Sequence, residues 1–585
     1  MLLAATRGEL SWPELMVDPL SIQATTTLLE ETCAKIRFGV LCLIATISSL
    51  NMASFPSSNL KLNITALSST SLNPLDFDMA VLPLEHLGSL WHLGMIILLL
   101  LAVWYAVSSF HAWFRLRKFP AASWLANFSY LWLAKTTYSG RQYWVHRELN
   151  RTHKLVRIGP NELLTDDPDI IRKISSARSS YERDSWYITG RFNPYHDNMF
   201  TVLQPAEHTK FKSRTLHAYS GREIPDLEIG VNQQVATLLR VMRENYACKG
   251  RSLDLGQLSC YFTMDVITRL AFGYEFGYLA SETDHYGFLK SVRDLWPQMS
   301  PSADTPWIRN VLFSKPFLKL LGPTPKDKKG FGALMAVAEQ HVSKRFEPGA
   351  EQKKDMLGSF IHHKLSQKEC EVEGLFMVVA GTESTASAIR SVLVHTMTTP
   401  GVYGKLKAEI QAAVSDGRAS NPITVEQAKK LPYLQAVIYE GLRMRPPLLG
   451  LLPKVVPAGG DTFYGQHVPA GTAVCMNASS LLRSKTMFGE DADVFRPERF
   501  MELKNEVRGV MERNVELIFG YGQWQCVGKT IAFMELNKSV FEVLRHFDLQ
   551  LVSPAKPCDV LSYGVFLEEN LFVKVTEGGT APSEV

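Results

Sequence analysis

Cysteine is sparse in this chain, and its spacing lacks pairs. Cys33, Cys42, Cys248, Cys260, Cys370, Cys475, Cys526 and Cys558 are the eight, and no two form a Cys-x-x-Cys motif. That pattern argues against a zinc site or a disulfide framework and fits a reducing compartment for most of the chain. Charge of one sign is also lacking. Lys and Arg number 62 against 58 Asp and Glu, a net +4 at pH 7, with no dense basic run. Nucleic acid is therefore not an expected partner. No flavin or nicotinamide fingerprint is present. Residues 1–35 show little pattern, and charge-free apolar runs are few. What remains is an ordinary globular composition, 46% hydrophobic and 21% charged over 585 residues, ample for a large core.

One cysteine stands in an unusual setting. Phe519-Gly520-Tyr521-Gly522-Gln523-Trp524-Gln525-Cys526-Val527-Gly528 is a turn rich in glycine and aromatics. Val527, Ile531, Met534, Phe541 and Leu544 then recur at helical spacing, so a helix with one buried face is predicted to start there. Unpaired N–H groups and the positive end of the helix dipole favour a thiolate at such a place, and low-pKa cysteines occupy similar ones. A thiolate can be a nucleophile or a soft metal ligand. No neighbour looks like a base, and the glycines suggest backbone passing close to something flat and bulky. A lone cysteine would otherwise read as a buried structural thiol.

Phe519, Gly522, Cys526 and Gly528 match Phe-x-x-Gly-x-Arg-x-Cys-x-Gly, and on this motif the chain resembles the cytochrome P-450 family of haem-thiolate monooxygenases. The resemblance implies a mainly α fold with small β-sheets (α+β), haem b as cofactor and Cys526 as the axial iron ligand. It departs from the motif where arginine is usual, at Trp524, and at the alternative position, Gln523. A second match is Ala380-Gly381-Thr382-Glu383-Ser384-Thr385, inside a predicted helix from Glu371 to Thr398. By resemblance this helix crosses the distal haem face, Gly381 widens a groove for O₂, and Glu383, Ser384 and Thr385 carry protons. Serine replaces the usual threonine at 384; it keeps the hydroxyl but has no methyl to fix its rotamer.

Further segments extend the likeness from Val156 to the C-terminus. Val156-Arg157-Ile158-Gly159-Pro160-Asn161-Glu162-Leu163 reads as a strand and turn and is similar to fungal members of the pisatin demethylase type. Glu440 and Arg443 are helix neighbours; by resemblance they form a buried triad with Arg499 that holds the cysteine loop. His208 and Lys212 share one helix face. The resemblance implies that both reach the haem propionates, with Lys454 at another such contact. Lysine stands at 212 and 454 where arginine is usual. Phe519, Gly522, Trp524 and Gly528 complete the expected haem-contacting set. Phe376, Val379, Leu448, Leu449, Val565 and Phe566 are the expected substrate-facing residues, and an apolar cavity implies a lipophilic substrate.

Two apolar segments precede this region. Residues 38–54 read as a first membrane span, a core helix or an interfacial segment. Leu93 to Phe110 is eighteen residues without charge, enough for a spanning helix. Arg115, Arg117 and Lys118 follow it, which places the C-terminal side in the cytosol. If both segments span, the sequon Asn63-Ile64-Thr65 lies in a lumenal loop and could be glycosylated. The expected layout is an N-terminal extension over 1–92, a transmembrane helix at 93–110 and a haem-thiolate domain over 115–585. The resemblance then implies an endoplasmic-reticulum monooxygenase facing the cytosol and serving secondary metabolism. It would use O₂ and draw electrons from an NADPH-dependent reductase. Lys529, Lys538 and Arg545 are expected to form a basic docking surface for that reductase. A haem-thiolate isomerase or dehydratase using no O₂, or a non-catalytic haem-binding membrane protein, are the rival readings.

Overall fold

The computed structural model describes residues 84–578. The 38–54 segment, Asn63, Cys33 and Cys42 lie outside the described residues. Helices dominate. Those that position the site are α1 (Leu84–Leu116), α2 (Pro205–Tyr219), α3 (Leu255–Phe272), α4 (Phe288–Asp304), α5 (Met356–His362), α6 (Gln367–Met397), α7 (Pro432–Met444) and α8 (Lys529–His546).

The long helix α6 is the axis of the core. Ser366 caps it, accepting from the Glu369 N–H while the Glu369 carboxylate accepts from the Ser366 N–H. This capping box fixes the start one turn earlier than the apolar periodicity predicts. Val372, Leu375, Val378, Ile389, Val392 and Leu393 are buried along α6, and it packs against α3, α7 and α8. Each such side chain contributes ~1.5–3 kcal/mol by leaving water. The Cβ that Gly381 lacks would sit 3.0 Å from Ile267, so this glycine admits α3. Gly381 also lines the cavity, so the close approach of α3 and the cavity wall meet at this residue.

The β structure is small. Strands β1 (Leu155–Arg157), β2 (Glu162–Thr165), β3 (Glu182–Arg183), β4 (Lys454–Val455) and β5 (Ala473–Met476) form one sheet in the order β1-β2-β5-β4-β3. Only the β2–β5 pairing is parallel. The predicted strand and turn at Val156–Leu163 is the β1–β2 hairpin. Strands β6 (Asp559–Ser562) and β7 (Phe566–Glu569) make a second hairpin near the C-terminus.

The expected basic surface on α8 is not there. Lys538 is fully buried, bonding the Ile423 carbonyl and the Glu228 carboxylate. Arg545 is buried and donates to the Ser420 carbonyl, and Lys529 pairs with Glu516. The predicted buried face of α8 is right, but the core wraps most of the helix, so its cations serve packing and capping.

Candidate active site

The cysteine loop is built by its glycines. Gly520 has φ +75, where a Cβ would lie 2.7 Å from the Trp524 carbonyl oxygen. This left-handed turn lets the Cys526 N–H donate to the Phe519 carbonyl at 2.6 Å. Gly522, at φ +57, lies against the Ser175–Ala177 backbone, where a Cβ would meet the Ser175 carbonyl oxygen at 2.4 Å. Gly522 therefore packs behind the loop and does not face the cavity, contrary to expectation. Helix α8 starts at Lys529, just after Cys526.

The Cys526 sulfur opens into a cavity of about 480 Å³ inside the protein. Burial pushes its thiol up, outweighing the N–H groups of Gly528 and Lys529 and the charges of Lys212 and Lys529, which pull it down. The helix terminus alone thus does not produce the thiolate that the sequence suggested. A bound metal would, since a coordinating thiol is deprotonated outright.

Cations and donors gather on one side of the cavity, beside Trp524. The His208 ring lies 4.6 Å from the Trp524 ring, and the Arg183 guanidinium 4.5 Å from it. Lys454 donates to the Tyr187 hydroxyl at 2.5 Å and the Leu452 carbonyl at 3.2 Å. His208 Nδ1, Arg183 Nε and Trp524 Nε1 are buried without a partner. Burial, then Arg183, Lys212 and Lys454, drives the His208 imidazole down to about 2. Burial and Arg183 likewise hold Lys454 far below the usual lysine range, and burial lowers Arg183 to about 10. Gathered cations with orphaned donors are unfavourable unless an anion completes them.

Lys212 is placed differently from expectation. Its ammonium donates to the carbonyls of Gln523 at 3.0 Å and Gln525 at 2.9 Å, so it braces the cysteine loop from behind. Gln523 points away as well, donating to the Ser176 carbonyl at 3.4 Å. Trp524, by contrast, presents a donor where the family motif has arginine. Arg183 had no sequence signal; it lies on a two-residue strand that no pattern marks.

Across the cavity, α6 presents Phe376, Val379, Glu383, Ser384 and Thr385. Ser384 Oγ donates to the Ala380 carbonyl at 2.7 Å. Glu383 pairs with the buried guanidinium of Arg390 and accepts from the Cys260 thiol at 3.0 Å. Arg390 also holds Glu568 of β7 at 2.6 Å, and Glu568 pairs with Arg445. Burial opposes the charge on Arg390, but Glu383, Cys260 and Glu568 more than offset it. Arg390 lies two turns past Glu383 on the same face, a spacing that could have exposed the pair in the sequence.

Leu448 and Val565 line the cavity as expected, but Leu449 and Phe566 do not. Leu449 is core, its N–H donating to the Gly564 carbonyl at 2.6 Å. Phe566 packs 5.2 Å from the Tyr143 ring. Side chains alternate along an extended segment, so Val565 and Leu567 face the cavity and Phe566 turns away.

Asp304, at the end of α4, was not anticipated. Its buried carboxyl lines the cavity, accepting from Thr137 at 2.6 Å and Trp186 Nε1 at 3.0 Å. Burial raises it to about 6, partly opposed by Thr137 and Trp186. The folded state therefore keeps a proton that the unfolded chain loses near ~3.9. This group's contribution to stability is complete below that pH and falls as pH rises toward about 6. Asp304→Asn should remove the slope, so the stability difference from wild type changes by about 2 kcal/mol between pH 4 and 7. Urea unfolding at both pH values checks this, and a constant difference would contradict it.

The cavity-facing thiol, the apolar walls and the one-sided donor cluster fit an iron macrocycle carrying carboxylates. These features define a haem-thiolate protein. The cytochrome P-450 family model matches residues 120–575, and the chain belongs to that family. It is 70% identical over 468 residues to cytochrome P-450 monooxygenase aba1 of Botryotinia fuckeliana, covering 79% of this chain and 92% of that protein. It is 58% identical to cytochrome P-450 monooxygenase abl1 of Leptosphaeria maculans, covering 81% of this chain and 86% of that one. With cytochrome P-450 monooxygenase ABA1 of Pyricularia oryzae the identity is 43%, over 84% and 98%. The chain is a cytochrome P-450 monooxygenase, an oxidoreductase with a haem-thiolate cofactor.

Proposed function

We propose that this enzyme inserts one oxygen atom from O₂ into a lipophilic small molecule in fungal secondary metabolism. It would do so anchored in the endoplasmic-reticulum membrane, with its catalytic domain in the cytosol and electrons from NADPH through a reductase. The observation that carries the reading is the Cys526 sulfur opening into an apolar cavity whose opposite wall holds Glu383, Ser384 and Thr385. The fungal relatives support the metabolic setting. His92–Leu116 supports the anchor: it is the one helix among the described residues long and apolar enough to cross a membrane. Leu98, Leu99 and Val107 on it are exposed, which suits lipid.

Haem b, when bound, supplies dioxygen activation and transfer of one oxygen atom to the substrate. Cys526 would hold its iron, with Phe519 and Gly528 beside the sulfur. Arg183, His208, Lys454 and Trp524 would receive its carboxylates. Phe376, Val379, Leu448 and Val565 exclude water and orient the substrate by shape. Arg390 holds Glu383 at the cavity edge. The Ser384 hydroxyl rests on the Ala380 carbonyl; turned from it, it would offer a proton donor to the cavity. Thr385, one residue on, offers a second hydroxyl. Glu440, Arg443 and Arg499 would hold the cysteine loop.

The test is reconstitution with a fungal reductase, NADPH and a panel of terpenoid and polyketide substrates. Substrate-induced spin-state change followed by NADPH- and O₂-dependent product supports the reading. Turnover independent of NADPH would overturn it in favour of an isomerase or dehydratase. In the same assay Ser384→Thr should release less peroxide per NADPH, because the added methyl restricts the hydroxyl rotamer. Equal or greater release would contradict that role.

A further inference from the structure

Outside the cavity, two histidines and a carboxylate converge where the last turn of α2 meets the end of α5. His363 Nε2 lies 2.8 Å from Glu223 Oε1, and His217 Nδ1 lies 4.0 Å from the same oxygen. The two imidazoles stack with centroids 4.8 Å apart and planes 11° from parallel. All three ligand atoms lie within 4.8 Å of one another. The other carboxylate oxygen, Glu223 Oε2, accepts from Ser359 Oγ at 2.5 Å, which fixes the carboxylate's orientation. The Ser359 hydroxyl holds the Glu223 carboxyl below its ordinary range, with burial opposing it and His363 adding to it.

We propose that His217, Glu223 and His363 form a surface site for a divalent cation of the Zn²⁺ class, joining α2 to the end of α5. Three protein ligands of this type with a fourth position left to water are a recognised zinc arrangement. The imidazole pair selects against Mg²⁺ and Ca²⁺, which prefer all-oxygen shells. Tetrahedral coordination needs ligand atoms roughly 3.3 Å apart. The present spacings bracket that value, and the side chains are free enough to adjust, at 40% exposure for His217, 32% for Glu223 and 25% for His363. The same exposure gives the ion an entry path, and Ser359 supplies the outer hydrogen bond that orients a ligating carboxylate. Bound cation would steady α2, the helix that also carries His208 and Lys212.

Isothermal titration of tag-free, haem-loaded protein with ZnCl₂ tests the site. One saturable equivalent is expected, undisturbed by excess Mg²⁺. His217→Ala, His363→Ala and Glu223→Gln should each weaken it at least tenfold while leaving the reduced CO spectrum unchanged. Exposed Cys248 is an alternative zinc ligand; binding that persists in all three variants and vanishes in Cys248→Ser would overturn the proposal. So would no saturable binding, or weakening in only one variant. The three substitutions lie on different segments, so a folding defect in one, seen in the CO spectrum, leaves two to decide.

Discussion

Glu440→Ala should yield almost no soluble, haem-loaded protein. Glu440 and Arg443 are fully buried and Arg499 is 2% exposed. The Glu440 carboxylate takes a bidentate pair from Arg443 at 2.7 and 2.8 Å, and the Arg499 Nε–H at 3.0 Å. It also accepts the Arg496 N–H at 2.8 Å. Arg499 keeps Asp491 as a second partner at 2.8 Å, but Arg443 has only neutral acceptors left, the carbonyls of Leu482, Ala492 and Val494 and the Met444 sulfur. Stranding a buried charge costs ~3–5 kcal/mol. That is a large part of the ~5–15 kcal/mol by which a folded domain is stable. The damage would reach the cysteine loop through α7. Tyr439 bonds Glu516 at 2.9 Å and packs against Phe533, which packs against Phe519. Haem content per polypeptide is the readout, and normal loading in Glu440→Ala would contradict the account.

Arg183→Ala should fold poorly and retain little haem, with Arg183→Lys only partly restoring it. One terminal nitrogen of Arg183 donates to the carbonyls of Met199 at 2.8 Å, Phe200 at 2.9 Å and Val202 at 3.1 Å. Its Nε is left buried without a partner in a residue that lines the cavity. The residue thus shapes the loop at 199–202 and offers charge to the cofactor's carboxylates. A charged hydrogen bond contributes ~1.5–3 kcal/mol, ten-fold or more in affinity. Lysine carries the charge without the planar fork, so it cannot serve both tasks. Haem transfer to apomyoglobin gives the dissociation rate. A rate unchanged in both variants would remove Arg183 from the cofactor site.

Strong, repeated or chemically rare patterns were legible in the sequence. The cysteine loop, the Glu440–Arg443 helix and the long α6 all appear where their motifs and periodicity place them, because local spacing encodes each. Contacts between distant segments were not legible. Nothing near Arg183 announces that β3 will lie beside Trp524. Lys538 and Arg545 look like surface cations until neighbouring elements close over α8. Leu449 and Phe566 are as apolar as their cavity-facing neighbours, and only the local backbone path, a loop at Leu449 and a strand at Phe566, sends them into the core. The thiol of Cys526 shows a balance of magnitudes that sequence cannot weigh: the helix terminus lowers its pKa as predicted, and burial raises it further.

The most direct test of the central claim is the absorbance spectrum of the reduced, CO-bound protein, wild type against Cys526→Ala. Thiolate ligation predicts a strongly red-shifted Soret band in wild type that disappears in the variant. An unshifted band in wild type, or a shifted band that survives loss of Cys526, would contradict it.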